Sequence, residues 1–177
     1  YARLGVAVVT LPGGEIVPAM ERGVIQGAEW INCEEDRKLG LHKVAKHYYA
    51  PAMQGPITGG QLIFNKDVWK KLPADLQEMS KAAAGYATTV RNQLLKQETA
   101  EACKDLIKQG VIMHRTPDEV LRNFLNEWEK ISAEYAAKNP FYKKVIDSQK
   151  KYAENIVPYR LSWYPAYNFA GEYYWKD

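Results

Sequence analysis

Apolar residues in the first part of the chain come in short runs that predict β-strands. Short, mainly apolar runs lie at positions 6–10, 24–28 and 61–65, with a fourth at 111–113. Each run is short and bounded by polar or turn-forming residues, which is the pattern of a short buried strand. A short helix is predicted at 15–22, between the first two runs. A strand, a helix and a strand in this order predict a parallel strand pair and an α/β fold.

The rest of the chain carries the three-to-four spacing of amphipathic helices. Three acidic residues at 34–36 favour a helix start, and that helix is predicted to end before Pro51. A long helix is predicted from Pro73 to Gly110, and the residues from Thr116 combine a capping threonine with a proline at the first helical position. A last long helix is predicted from Pro140 to residue 157.

The C-terminal tail is rich in aromatic residues. Eight of them lie between Tyr159 and Trp175. Because the exposure of large rings to water is costly, we expect this tail to pack against protein.

The composition is that of an ordinary globular domain and excludes several classes of function. Of the 177 residues, 46% are hydrophobic and 25% are charged. The formal net charge is +3 and the basic residues are scattered, so no groove for nucleic acid is predicted. No apolar run approaches the roughly 18 residues of a membrane span. The chain has no initiator Met, and its first residues resemble the last turn of a helix before Gly5, so we expect the C-terminal part of a longer protein.

Patterns for metal binding and for disulfides are weak. Cys33 and Cys103 lie 70 positions apart, which matches neither a zinc motif nor a disulfide framework. Two buried thiols are favoured over a bridge, and the bridge stays open. His42 and His47 are five positions apart and would lie off one another's helix face, so they make a poor metal pair. The adjacent acids at 34 and 35 could do acid–base chemistry, but a solvated helix start is the favoured interpretation.

Glu29 stands out because it directly follows a predicted strand. Gly27 and Ala28 leave room for a ligand, and Trp30 provides a flat apolar wall and a backbone carbonyl. Strand ends in open α/β sheets face the ligand crevice, where a carboxylate can bind a cation or accept hydrogen bonds. The competing interpretation is a glutamate paired with a nearby Lys or Arg beside a core tryptophan. The residues alone slightly favour that second interpretation.

The stretch from Leu4 to Trp30, LGVAVVTLPGGEIVPAMERGVIQGAEW, resembles the central segment of the periplasmic substrate-binding proteins of TRAP transporters, the DctP family. The shared pattern is a strand, a proline-containing loop, a short helix ending in glycine, and a strand ending in Gly-Ala-Glu. The resemblance continues through LGLHKVAKHYYAP, IFNKDVWKKLPADLQ and AAKNPFYKKVIDSQ. It is greatest for the subgroup assigned to mannitol, chloroaromatic compounds or 2-oxo acids.

The resemblance implies part of a two-lobe α/β periplasmic binding protein, with mixed sheets flanked by helices and a helical, aromatic-rich C-terminus. Residues 1–60 would belong to the second ligand-binding lobe, and residues 61–177 would form a returning strand, the long helices and the C-terminal region. The N-terminal half, with the family's substrate-clamping arginine, would lie outside this chain. The implied function is capture of a small organic carboxylate in the periplasm and its delivery to TRAP membrane subunits, without catalysis.

The resemblance also implies a cation site. In that subgroup the ligand carboxylate sits on a bound cation, here sodium or calcium. The matching residues are Glu29 through its side chain, Trp30 through its carbonyl, and Gln61 as a further polar ligand. The C-terminal region of some family members contributes to a dimer, so a second copy is the expected partner of the aromatic tail.

Two functions from other classes stay open at this stage. An enzyme could use Glu29 as a general base on oxo acids. A ligand-sensing or scaffold module could bind partners through the aromatic tail. Genes for small and large membrane subunits beside the gene of this chain would favour transport over both.

Overall fold

The computed structural model describes residues 1–53 and 60–175, which form two compact units, Tyr1–Phe124 and Leu125–Asp177. The first unit holds a small parallel sheet and most of the helices, and the second is helical. The elements are a 3-10 helix at Ala2–Leu4, then α1 (Gly13–Glu21), α2 (Cys33–Leu39), α3 (Leu41–Val44), β1 (His47–Ala50), α4 (Lys66–Lys71), α5 (Ala74–Lys108), β2 (Ile112–Arg115), α6 (Asp118–Lys138), α7 (Pro140–Trp163) and α8 (Tyr167–Tyr174).

The sheet in the described residues consists of β1 and β2, which run parallel with His47 opposite Ile112 and Ala50 opposite Arg115. The strand predicted at 111–113 is confirmed as β2, shifted by a residue or two. The prediction of one helix from residue 34 to Pro51 was wrong. Gly40 has a left-handed φ of 90° that ends α2, and the tyrosines of β1 favour a strand once β2 supplies its hydrogen-bond partner.

The strands predicted at 6–10, 24–28 and 61–65 are not formed, so the predicted parallel pair between the first two was wrong. A strand needs a neighbour for its backbone groups, and within the described residues these runs have none. Their apolar side chains are correspondingly open to solvent: Val9 is 63% exposed and Ile63 is 81% exposed. β-branched residues favour an extended backbone, but this propensity does not supply a partner strand.

The core of the first unit lies where α2 packs on α5. Cys33 and Cys103 form a disulfide with their Cα atoms 5.2 Å apart, so the expectation of two free thiols was wrong. Spacing along the sequence did not show that the first residue of α2 faces the last third of α5. Ala102 and Leu106 are buried beside the bridge, and Val111 completes the cluster just before β2.

Charged groups reinforce the same contact between α2 and α5. Arg37 donates a hydrogen bond to Asp105 at 2.7 Å, and both side chains are partly exposed. Glu34 is buried, and its carboxylate pairs with Lys38 at 2.7 Å and with Arg91 of α5 at 3.6 Å. The hydrogen bond from Lys38 lowers the pKa of the Glu34 carboxyl. Glu34 is therefore a buried and paired charge, and the expectation that it is a solvated acid was wrong.

The long helices follow the sequence prediction closely. Pro73 precedes α5, and Gly110, with a φ of 83°, follows its end. The start of α6 is also as predicted, whereas α7 continues past Pro158 to Trp163 and is longer than predicted. In the second unit, the Tyr142 hydroxyl of α7 donates to the Ser132 hydroxyl of α6 at 3.2 Å.

The aromatic tail is helical but its rings are exposed. Trp163, Phe169 and Trp175 are between 75% and 79% exposed. Packing of the tail against this chain is therefore not seen in the described residues, and packing against a partner stays a prediction. None of the helices in the described ranges is both long enough and apolar enough to cross a membrane.

We expect the Cys33–Cys103 bridge to contribute strongly to stability, because it closes a loop with a sequence separation of 70. Replacing both cysteines with alanine in the intact protein should lower the free energy of unfolding by about 2–4 kcal/mol. Denaturant unfolding without reductant would measure this. As a control, reductant should bring the wild type close to the double variant. Equal stability of the two proteins without reductant would contradict the prediction.

Candidate functional site

Glu29 and Trp30 lie in the irregular segment between α1 and α2. The Glu29 side chain is exposed, whereas Trp30 is half-buried. The negative charge of Glu29 influences two tyrosines electrostatically. The pKa of Tyr1 is raised by burial and then by Glu29, and Glu29 also contributes to the raised pKa of Tyr48. The Glu29 carboxylate itself is open to solvent.

The Trp30 ring is held by the start of α1. A Cβ atom placed on Gly13 would lie only 2.7 Å from Cη2 of the Trp30 ring and 3.2 Å from Cζ3. Glycine is therefore required there for the ring to reach the helix backbone. At the neighbouring Gly14, an added Cβ would meet open space. The apolar wall predicted from the sequence is thus packed against α1.

Asp36 holds the segment that follows Trp30, and sequence reasoning missed this role. The Ile31 backbone N–H donates to Oδ1 of Asp36 at 3.1 Å, and the Tyr48 hydroxyl donates to Oδ2 at 2.7 Å. Asp36 is only 7% exposed. Burial first, and the bond to Asp36 second, raise the pKa of Tyr48, so its hydroxyl remains a donor at physiological pH.

The capped start of α2 fixes the position of Asp36. The Asn32 side chain accepts hydrogen bonds from the backbone N–H groups of Glu34 and Glu35 at 3.0 and 3.1 Å, which makes it a standard N-cap. Asp36 lies one turn further on and reaches back to the residue before the cap. An Asn followed four residues later by Asp, directly after Glu-Trp-Ile, was the available signal in the sequence. It resembles a capping box with the acid one position later.

The third predicted ligand, Gln61, is exposed and begins the irregular run that leads to α4. Within residues 1–53 and 60–175, no hydrogen bond joins Gln61 to Glu29 or Trp30, so its place in the site stays a prediction. His42 and His47 do not pair with each other. Instead His47 lies 2.9 Å from His114 of β2, nitrogen to nitrogen, and Tyr49 stacks on the His114 ring.

The donor atoms at Glu29 and Trp30 are suited to a hard cation. A carboxylate and a backbone carbonyl on consecutive residues supply oxygen ligands, which Ca²⁺ and similar ions prefer. Within residues 1–53 and 60–175, no cluster of three or more His, Cys, Asp or Glu side chains could hold a metal. A cation bound at this segment would therefore also need carbonyl, amide or solute oxygens as ligands.

The chain belongs to the DctP family, described as bacterial extracellular solute-binding protein, family 7, whose family model matches residues 1–139. This confirms the family identified from the sequence. The family description also agrees with the expected location outside the cytoplasm.

A similar protein with a described ligand is the monocarboxylate 2-oxoacid-binding periplasmic protein of Nostoc sp.. It is 33% identical over 155 residues, which are 88% of this chain and 43% of that protein. The chain thus spans less than half the length of this curated relative.

Solved structures confirm the fold class. A TRAP transporter solute-binding protein from Bordetella bronchiseptica matches with a TM-score of 0.82 and 28% identity, over 97% of this chain and 50% of that one. It is a mixed-occupancy dimer with copurified calcium and picolinate in one active site and an apo second site. A TRAP periplasmic protein from Colwellia psychrerythraea, with bound calcium and pyruvate, also matches at 0.82 and 28% identity, over 91% of this chain and 50% of that one.

We expect Gly13→Ala to be destabilising because the new methyl group would collide with the Trp30 ring. The unfolding free energy of the intact protein should fall by about 1–3 kcal/mol, as for other overpacked sites. Gly14→Ala is the matched control in the same helical turn, and helix propensity should leave it neutral or up to about 1 kcal/mol more stable. Chemical denaturation of both variants is the measurement. Similar effects at the two positions would contradict the described packing of Trp30.

Proposed function

We propose that the protein containing this chain captures a small 2-oxo or 2-hydroxy monocarboxylate outside the cytoplasm and delivers it to the membrane subunits of a TRAP transporter. The proposal is supported by membership of the DctP family and by the 2-oxoacid-binding relative from Nostoc sp.. The pyruvate and picolinate in the related structures are both small carboxylates with a second donor atom beside the acid group. A ligand of that chemistry can chelate a cation.

The observation that carries the proposal is the exposed Glu29 carboxylate next to the Trp30 carbonyl. The calcium in both related structures supports calcium rather than sodium as the ion. One glutamate would leave a calcium ion with a net positive charge, which attracts the carboxylate of the solute. Gln61 would add an amide oxygen. The solute, water and the rest of the protein would supply the remaining ligands of the six to eight that Ca²⁺ takes.

In this proposal the chain binds and releases its solute unchanged. Glu29 serves as an oxygen donor to the cation and not as a general base, because a carboxylate whose lone pairs coordinate a cation is a weaker acceptor of a proton. Residues 1–60 would line one side of the cleft and residues 61–177 would carry the returning segment and the supporting helices. Closure of two lobes around the solute would be the conformational step.

We also propose that the C-terminal region contributes to a homodimer. The support is the exposure of the aromatic tail, which is unusual for so many large rings at a monomer surface. The Bordetella relative is described as a dimer, which is compatible with this proposal. A scaffold role for the same tail would instead require a different protein as the partner.

We expect Glu29→Ala to weaken pyruvate binding in the presence of calcium by more than tenfold in the intact protein, or at least about 1.4 kcal/mol. The ion would lose its charged protein ligand, and the solute would lose the ion. Isothermal titration calorimetry with calcium, and again with a chelator, measures the effect.

Glu21→Ala provides the control, because it removes the same charge from an exposed position at the end of α1. It should bind pyruvate as the wild type does. Unchanged affinity in the Glu29 variant, or equal losses in both variants, would refute the role given to Glu29. Turnover of pyruvate by the wild type would favour the enzyme alternative.

A further inference from the structure

We propose that Asp36 is a positioning residue that aims the backbone carbonyl of Trp30 at the cation. The inference rests on the proposed function, because it assigns a support to one ligand of that site. Asp36 would not touch the ion or the solute. It would act through the peptide group that joins Trp30 to Ile31.

The peptide group between Trp30 and Ile31 links Asp36 to the Trp30 carbonyl. The Trp30 C=O and the Ile31 N–H belong to one planar group, and in a trans peptide they point in opposite directions. The Ile31 N–H is directed at Oδ1 of Asp36, 3.1 Å away. The Trp30 carbonyl is therefore directed away from α2. Among the described residues, no backbone N–H group donates a hydrogen bond to the Trp30 carbonyl oxygen.

Asp36 itself is firmly held. Its own N–H donates to the Asn32 carbonyl at 2.8 Å within the first turn of α2. Its second oxygen accepts from the Tyr48 hydroxyl at 2.7 Å, and Tyr48 lies on β1 and packs on the core cluster. Three residues earlier, Cys33 fixes α2 covalently to α5. A carboxylate tied to two donors on different elements has little freedom to rotate.

Asp36 also acts on this peptide group electrostatically. Asp36 is 7% exposed, so its hydrogen bond to Ile31 lies in a region of low effective dielectric constant. An ionised acceptor on the N–H polarises the peptide group and increases the negative charge on the carbonyl oxygen at its other end. Groups that orient and polarise metal ligands in this way typically account for about 10–100-fold in metal affinity. Asp36 would thus improve both the aim and the basicity of the Trp30 ligand.

The test measures calcium affinity by calorimetry in the intact protein at saturating pyruvate. Asp36→Ala removes the acceptor and should weaken calcium binding by about 10–100-fold. Asp36→Asn keeps an acceptor oxygen for the Ile31 N–H but loses the charge, so we expect a smaller loss of roughly three- to tenfold. This partial rescue is the signature of a positioning role.

Arg37→Ala is the matched control for stability. Arg37 is the next residue of α2, and its loss removes the 2.7 Å bond to Asp105 without touching the bonds of Asp36. It should lower the melting temperature and leave calcium affinity within about threefold of the wild type. If Arg37→Ala loses calcium affinity in proportion to its stability, as the Asp36 variants do, the effect is general destabilisation and the inference fails.

The outcomes separate this inference from the proposed function. A wild type that binds neither calcium nor pyruvate would refute both. A wild type that depends on calcium and on Glu29, but whose affinity is unchanged by Asp36→Ala, would refute the role of Asp36 alone. If Asp36→Ala does not fold, the decision falls on Asp36→Asn: a loss of threefold or more supports the inference, and a smaller change overturns it.

Discussion

The disulfide between Cys33 and Cys103 is the constraint on which the first unit depends. It joins the first residue of α2 to α5 across a sequence separation of 70, beside the buried Ala102 and Leu106. The described part of this unit has few fully buried apolar side chains, so a covalent link replaces much of what a larger core would provide. A disulfide also agrees with a protein that works outside the cytoplasm.

Short local contacts connect the disulfide to the candidate site. The position of Cys33 fixes the start of α2, and the Asn32 cap satisfies the backbone there. Asp36 then connects α2 to Tyr48 on one side and to Ile31 on the other. Trp30 is held between this connection and the glycine at the start of α1. The site is thus built on an irregular segment whose flanking elements are fixed on both sides.

The sequence predicted the parts of this structure that depend on local rules. Helices such as α5 and α6 follow from spacing, caps and prolines, and the family followed from a motif that ends in Glu29. Features that depend on distant partners were not predictable in this way. The runs at 6–10 and 24–28 have strand propensity without a strand beside them, and β1 is a strand only because β2 lies next to it. The disulfide was missed for the same reason.

Two carboxylates near the site illustrate how surroundings decide a role. Asp36 is buried, and both its oxygens accept hydrogen bonds from fixed donors, so its charge is already satisfied by the protein. A cation would gain little there and would have to displace those donors. Glu29 lies on the exposed side of the same segment and keeps its hydration. When a cation replaces water at an exposed carboxylate, the cost of desolvating the carboxylate is small. The attraction between the carboxylate and the ion offsets most of it. In the proposed site the acid that binds the ion is therefore the exposed one, and the buried one would act on the ion only through the backbone between them.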